Sequence, residues 1–187
     1  MDTHVLVPVK RLDDAKSRLA DVLSPEDRAT LMSELLDHVL AVTQAAGVGP
    51  VTVVSAEALS LNGVPRFDDG GAPWNNALAA AMAAVVDEST VAVIAGDLPL
   101  LVPDDVRALV AAIPDRGLAI ARARDGGTNA VAMRPPGIVS THFGAASSAG
   151  VHAAAARAAG VDAVLVDLPG FAFDVDTPED LAAWRQN

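Results

Sequence analysis

Short apolar runs alternate along this chain with longer stretches in which apolar residues recur at helical spacing. A short apolar run bounded by turn residues predicts a strand, because a strand buried on both faces needs no polar alternation. Helical spacing predicts a helix that packs one face on a sheet. Strands are expected at 4–9, 51–55, 65–67, 91–95, 118–123, 130–134 and 163–167.

Two helices carry clear start signals. The segment SPED at 24–27 combines an N-cap serine, a proline at the first helical position and acids in the first turn. A long helix should begin there and end at Gly47. The segment TPED at 177–180 repeats the signal for the last helix. Further helices are expected at 75–86, 104–112 and 147–159.

The order of these elements predicts the fold class. Strands that alternate with helices are typical of α/β proteins, in which helices cover both faces of a mainly parallel sheet. The strands on either side of the loop 124–129 are expected to pair with each other. Residues 1–187 are interpreted as one domain, since no linker or internal repeat is visible.

Ligands bind such sheets beyond the carboxyl ends of the strands, which places Ser55, Asp97 and the loop 124–129 along one rim.

Composition excludes several classes of protein. The 187 residues are 51% hydrophobic and include no cysteine, which indicates a globular protein without disulfides or thiolate metal sites. The first residues lack the basic-then-apolar order of a signal peptide, and the apolar run at 77–86 is too short to span a bilayer. We therefore expect a cytoplasmic protein that does not associate with membranes.

Charge is distributed unevenly along the chain. A net charge of −11 disfavours a nucleic-acid surface, because phosphate backbones are bound by spread positive charge. Both lysines nevertheless fall in one short basic segment, which contains Lys10, Arg11, Lys16 and Arg18. Such a cluster is either a solvated loop or a site for a small polyanion.

Three aspartates lie where a metal could bind. Asp97 directly follows an expected buried strand, where a carboxylate is costly unless a cation meets it. Asp174 and Asp176 are two residues apart, so an extended segment places both on one face. From the residues alone, these two are either metal ligands or surface acids. Thr177 and Asp180 are accounted for by a capping box at the start of the last helix.

The glycine pattern limits how phosphates could be bound. No glycine precedes Gly47, so neither a dinucleotide-binding fingerprint nor a P-loop can follow the first strand. Lysine, arginine and a metal such as magnesium, which takes hard oxygen ligands, would have to bind them. The histidines lack the i, i+4 spacing of a zinc site. His142 and His152 are either substrate contacts, since they flank the segment 143–148, or packing residues, which is the role expected for both.

Five segments together resemble one enzyme family. They are PVKRLDDAKSRLA at 8–20, GDLPLL at 96–101, RDGGTNA at 124–130, FGAASS at 143–148 and FDVDTPEDL at 173–181. In this order they resemble the guanylyltransferases that act on 2-phospho-L-lactate or phosphoenolpyruvate in the formation of coenzyme F-420. The resemblance covers nearly the whole chain. It implies a single-domain, three-layer α/β nucleotidyltransferase fold, similar to the nucleotide-binding domain of many glycosyltransferases.

The resemblance also implies roles for particular residues. The family's metal ligands, for which two magnesium ions are implied, match Asp97, Asp174 and Asp176. The residues that bind the acid match Thr128, Gly144 and Ser147. The triphosphate of GTP would be faced by Lys10, Lys16 and Arg18, and catalysis would depend on Asp97, Lys16 and Arg18. The guanosine end would be contacted by Ser55 and Asn75.

The implied reaction needs no nucleophile from the protein. The phosphate of the acid would attack the α-phosphorus of GTP, while the protein positions both anions and neutralises the departing pyrophosphate. Phosphoenolpyruvate, 2-phospholactate and phosphoglycerate all stay open as the acid, and a downstream transferase would accept the product. Two other functions also stay open: a nucleotidyltransferase acting on molybdopterin or a sugar phosphate, and a nucleotide-binding protein without catalysis.

Overall fold

A single sheet organises the part of the chain that the computed structural model describes, residues 3–9, 16–85 and 90–186. Its strands are β1 (Thr3–Pro8), β2 (Val51–Val54), β3 (Arg66–Phe67), β4 (Thr90–Ile94), β5 (Gly117–Arg122), β6 (Thr128–Arg134) and β7 (Asp162–Val166). Lys10 lies outside the described residues, so its contact with a triphosphate stays a prediction.

The sheet is mixed, with one reversed strand. The described strands lie in the order β3-β2-β1-β4-β6-β5-β7. β6 is antiparallel to its neighbours β4 and β5, and the other pairs are parallel. The mainly parallel sheet and the pairing across the loop 124–129 are therefore confirmed. The reversal places Thr128, the first residue of β6, at the edge of the sheet where the parallel strands end.

Helices in the described ranges are α1 (Pro25–Ala46), α2 (Trp74–Ala84), α3 (Pro103–Ala111), α4 (Ser148–Ala158), α5 (Pro169–Ala172) and α6 (Pro178–Arg185). The limits of α1 are as predicted: Ser24 Oγ accepts a hydrogen bond from the Asp27 amide at 3.1 Å, and Gly47 follows with a φ of 66°. The four residues of α5 are too few to show a helical repeat, so it was not predicted. Across these ranges, no helix combines the length and apolar character needed to cross a membrane.

Alternate strand residues bury their side chains on opposite faces of the sheet. Val5 and Val7 belong to the apolar core that includes α1 and α3, whereas Leu6 belongs to the core that includes α2 and α4. The predicted cover of helices on both faces is confirmed. The cover is thinner over the edge strand β7, where Val164 and Leu165 are 40% and 45% exposed.

Candidate active site

A cleft of about 340 Å³ lies at the edge of the sheet where the parallel strands end. Asp97 follows β4 at this edge, and Thr128 begins the reversed β6 there. Most of the predicted site residues line the cleft: Lys16, Arg18, Asp97, Thr128, Gly144, Asp174 and Asp176. The location agrees with the general rule that α/β sheets bind ligands beyond the carboxyl ends of their strands.

Asp174 and Asp176 share one face of an extended segment. Phe173 and Val175, which alternate with them, are buried in a small apolar cluster with Leu19 and its neighbours. Because side chains of an extended segment alternate in direction, burial of these two residues turns both acids towards the cleft. The two-residue spacing predicted this arrangement.

The three carboxylates converge in the cleft. One ligand oxygen from each of Asp97, Asp174 and Asp176 lies within 4.8 Å of the other two. Carboxylates at this separation disfavour one another's ionisation unless positive charge lies between them. Their oxygens are the hard ligands that magnesium takes, so the donor set fits a divalent cation of that kind.

Lys16 contributes a positive charge to this aspartate cluster. Its Nζ donates hydrogen bonds to Asp97 and, at 3.0 Å, to Asp176, and its side chain is only 4% exposed. Burial alone would lower the pKa of this ammonium, but the two carboxylates outweigh burial, so the pKa is raised and the group stays charged. Lys16 therefore lies against the carboxylates that are predicted to bind metal.

Asp174 is held in surroundings that oppose its ionisation. Burial, and then the charges of Asp97 and Asp176, raise the pKa of its carboxyl to about 6. The side-chain amide of Asn129 donates hydrogen bonds to the Asp174 carboxylate at 3.4 Å and to the Phe171 carbonyl at 2.8 Å. This amide therefore links the carboxylate to α5. Burial and the neighbouring acids thus outweigh the favourable effects of Asn129 and Lys16 on this carboxylate.

The start of α6 holds Asp176 in position. The Asp180 carboxylate accepts hydrogen bonds from the amides of Asp176 at 3.2 Å and Thr177 at 2.9 Å. The Thr177 hydroxyl accepts from the Asp180 amide at 3.2 Å, which completes the predicted capping box. The Arg18 guanidinium lies 3.8 Å from the Asp176 carboxylate. The Arg18 side chain is 74% exposed, so its guanidinium also faces solvent.

The residues predicted to bind the acid lie on two neighbouring segments. Thr128 and Gly144 line the cleft, and Gly144 has a φ of 80°, which suits glycine. Ser147 directly precedes α4 with a φ of 51°; it is exposed and is not among the residues that line the cleft. The Ala149 amide donates to the Gly126 carbonyl at 3.4 Å, which joins the two segments.

Ser55 and Asn75, predicted to contact guanosine, make hydrogen bonds within the protein. Ser55 is buried, and its Oγ accepts from the Glu57 amide at 3.2 Å. The Asn75 side chain donates to the Phe143 carbonyl at 3.2 Å and accepts from the Phe143 amide at 3.0 Å. Neither residue is among those lining the cleft, although Trp74 is. Their contacts with guanosine stay predictions.

Sequence reasoning missed one part of the site. His152, expected to be a packing residue, is fully buried but also bonds to Thr128 and to the backbone of His142. One local signal was available, since Ser148 and His152 are four residues apart on α4 and face the same side. The hydrogen bonds to Thr128 and His142 depend on the fold, so helical spacing in the sequence cannot indicate them.

The fold and the site together define a class of protein. A nucleotidyl transferase from Methanothermobacter thermautotroptrophicus superposes with a TM-score of 0.70 at 16% identity, covering 100% of this chain and 96% of that one. At this identity the likeness concerns the fold alone. The chain has the α/β fold of nucleotidyltransferases, as the resemblance implied, and carries a cluster of three aspartates in its cleft.

The family is shown by sequence comparison. The model of the family described as "Guanylyl transferase CofC like" matches residues 3–184. The chain is 42% identical over 190 residues to the phosphoenolpyruvate guanylyltransferase of Sphaerobacter thermophilus, covering 97% of this chain and 91% of the relative. The corresponding protein of Rubrobacter xylanophilus is 39% identical over 191 residues, covering 97% and 93%. The chain belongs to the CofC-like guanylyl transferases, which confirms the predicted family and makes the protein a nucleotidyltransferase enzyme.

Proposed function

We propose that this protein transfers GMP from GTP to the phosphate of phosphoenolpyruvate and releases pyrophosphate. The observation that carries the proposal is the convergence of Asp97, Asp174 and Asp176 in the same cleft as Thr128 and Gly144. This arrangement suits a cation-bound triphosphate next to a second anion. The family and the names of its relatives support guanylyl transfer and phosphoenolpyruvate.

The proposed reaction exchanges one phosphorus–oxygen bond for another. A phosphate oxygen of phosphoenolpyruvate forms a bond to the α-phosphorus of GTP. The bond between that phosphorus and the oxygen bridging to the β-phosphate breaks, and pyrophosphate leaves with the electron pair. A phosphomonoester has a second pKa of about 6, so the attacking phosphate is largely dianionic at neutral pH. No protein base has to remove a proton from it.

The residues of the chain would therefore position two anions and balance their charge. Lys16 and Arg18, which lie beside Asp176, would neutralise the pyrophosphate as it departs, together with Lys10. The acid would be bound by Thr128, Gly144 and Ser147. Ser55 and Asn75 would serve the guanosine end of GTP.

Magnesium is the cation we propose for the aspartate cluster. Three converging carboxylates fit its preference for hard oxygen ligands, and a cation between them would offset their mutual repulsion. Asp97, Asp174 and Asp176 would hold two ions. When bound, magnesium would supply electrostatic stabilisation to the attacking and leaving phosphates.

The proposed product is an activated acid, in which a phosphoric anhydride links GMP to the phosphate of the acid. A downstream transferase that displaces GMP from this anhydride is the expected consumer. We propose that this transfer serves the formation of coenzyme F-420, as the resemblance of the five sequence segments implies.

Release of pyrophosphate tests the proposal. The protein is incubated with GTP and Mg²⁺ together with phosphoenolpyruvate, 2-phospho-L-lactate, 3-phosphoglycerate or no acid. We expect release that depends on phosphoenolpyruvate. Release that depends on another of these acids would overturn the choice of phosphoenolpyruvate as the substrate. The proposal of guanylyl transfer itself would then stand. Absence of acid-dependent release with all three would overturn guanylyl transfer to this class of acid.

Replacement of one aspartate tests the role of the cluster. Asp97→Asn should lower turnover at least about a hundredfold, which corresponds to about 2.7 kcal/mol of lost charge stabilisation. Asp115→Asn is the matched control, because Asp115 is exposed in the turn before β5, at the opposite edge of the sheet. Thermal melts of both variants test whether they fold like the parent protein. Near-parental turnover in Asp97→Asn would contradict a role for the cluster in catalysis.

A further inference from the structure

A buried histidine lies between the two segments that form the acid side of the cleft. His152 on α4 is 0% exposed, and burial lowers its pKa to about 4, so the ring is neutral near pH 7. Its Nε2 lies 2.8 Å from the backbone amide of His142, which is a donor. Nε2 therefore accepts this hydrogen bond, and the single ring proton lies on Nδ1.

The protonated Nδ1 acts on Thr128. Its single proton is shared in a bifurcated hydrogen bond between the Ser148 carbonyl at 2.9 Å and Thr128 Oγ1 at 3.2 Å. The Ser148 hydroxyl donates to the same Thr128 oxygen at 3.0 Å. Because two donors meet this oxygen, the hydroxyl proton of Thr128 is left to donate elsewhere, and Thr128 lines the cleft.

The Nε2 side of the His152 ring fixes the backbone of the residues that precede Gly144 in the sequence. Nε2 binds the amide of His142, and the Asn75 side chain binds both the amide and the carbonyl of Phe143. The rings of Phe143 and His152 also pack edge to face, with centroids 5.4 Å apart. Two consecutive residues before Gly144 are thus fixed from α4 and from α2.

We propose that His152 is a positioning residue for the phosphorylated acid. Through Nδ1 it turns the Thr128 hydroxyl into a donor directed at the cleft, and through Nε2 it fixes the backbone that presents Gly144. The inference rests on the proposed function. A small acid with a carboxylate beside a phosphate needs donors at a set spacing, and one rigid ring sets the spacing here.

The test separates binding of the acid from binding of the nucleotide. His152→Asn keeps a donor near the position of Nδ1 and loses the group that reaches the His142 amide. His4→Gln is the matched control. His4 lies near the start of β1, at the end of the strand away from the cleft, and its ring is hydrogen-bonded to the Thr52 hydroxyl at 2.8 Å. The KM for phosphoenolpyruvate is measured at saturating GTP, and the KM for GTP at saturating acid.

We expect His152→Asn to raise the KM for phosphoenolpyruvate roughly tenfold or more while the KM for GTP stays within about twofold. The control should change neither constant. Equal rises in both constants would show a general structural role and overturn this inference alone. A parent protein without acid-dependent pyrophosphate release would overturn the proposed function, and this inference with it.

A measurement on the parent protein checks the geometry independently of turnover. The ¹⁵N chemical shifts of the His152 ring at pH 7 report which nitrogen carries the proton. We expect a protonated Nδ1 and an unprotonated Nε2. The reverse tautomer, or a doubly protonated ring, would overturn the inference even if the enzyme turns over as proposed, because Nε2 could then not accept from His142.

Discussion

Lowering the pH from 7 to 5 should destabilise the parent protein more than the His152→Asn variant. Burial holds the pKa of His152 at about 4 in the folded protein, against an ordinary value of 6.5. Between these values the unfolded chain binds a proton that the folded protein does not bind, so the free energy of unfolding falls as the pH falls through this window. Above about pH 6.5 the stabilising contribution of the neutral ring is fully present.

The two pKa values set the size of the effect. A group that titrates at 6.5 when unfolded and at about 4 when folded removes about 2 kcal/mol of stability between pH 7 and 5. For a chain of 187 residues this corresponds to a Tm that drops roughly 4–8 °C further in the parent than in the variant. Asp174 acts in the opposite direction, since its pKa is raised to about 6, but it is present in both proteins and cancels.

Urea unfolding at pH 7, 6 and 5, followed by far-UV circular dichroism, measures the free energy of unfolding of both proteins. The parent should lose about 2 kcal/mol more than the variant. Equal losses would refute the reasoning, because they would mean that folding does not change the proton affinity of His152.

Two further predictions concern the aspartate cluster and its support. Lys16→Met should raise the affinity of the nucleotide-free protein for Mn²⁺ several-fold. The Lys16 ammonium pairs with two of the carboxylates that a divalent ion would bind, so it competes with the ion. Isothermal titration measures this affinity, and an unchanged value would contradict competition. Thr177→Ala should lower the free energy of unfolding by about 1 kcal/mol through loss of the α6 N-cap. Thr177→Ser, which keeps the hydroxyl, is the control in urea unfolding, and equal stability of the two variants would argue against the cap.

Features that depend on neighbours in the chain could be predicted from the sequence. The strands and the limits of α1 followed from apolar runs and capping residues, which act over a few positions. The shared face of Asp174 and Asp176 followed from the two-residue period of an extended segment. The quoted motifs identified the family for a related reason, because each is a contiguous stretch with a characteristic order of residues.

Contacts between distant residues were decided by the tertiary structure alone. Lys16 is 81 residues from Asp97 and 160 from Asp176, so no local pattern shows that its ammonium lies among these carboxylates. His152 meets Thr128 because the reversed direction of β6 brings its first residue beside α4. Helical and strand periodicity record which face of an element is buried. The pairing of charges and of buried hydrogen-bonding groups acts through space, and only the folded chain determines those partners.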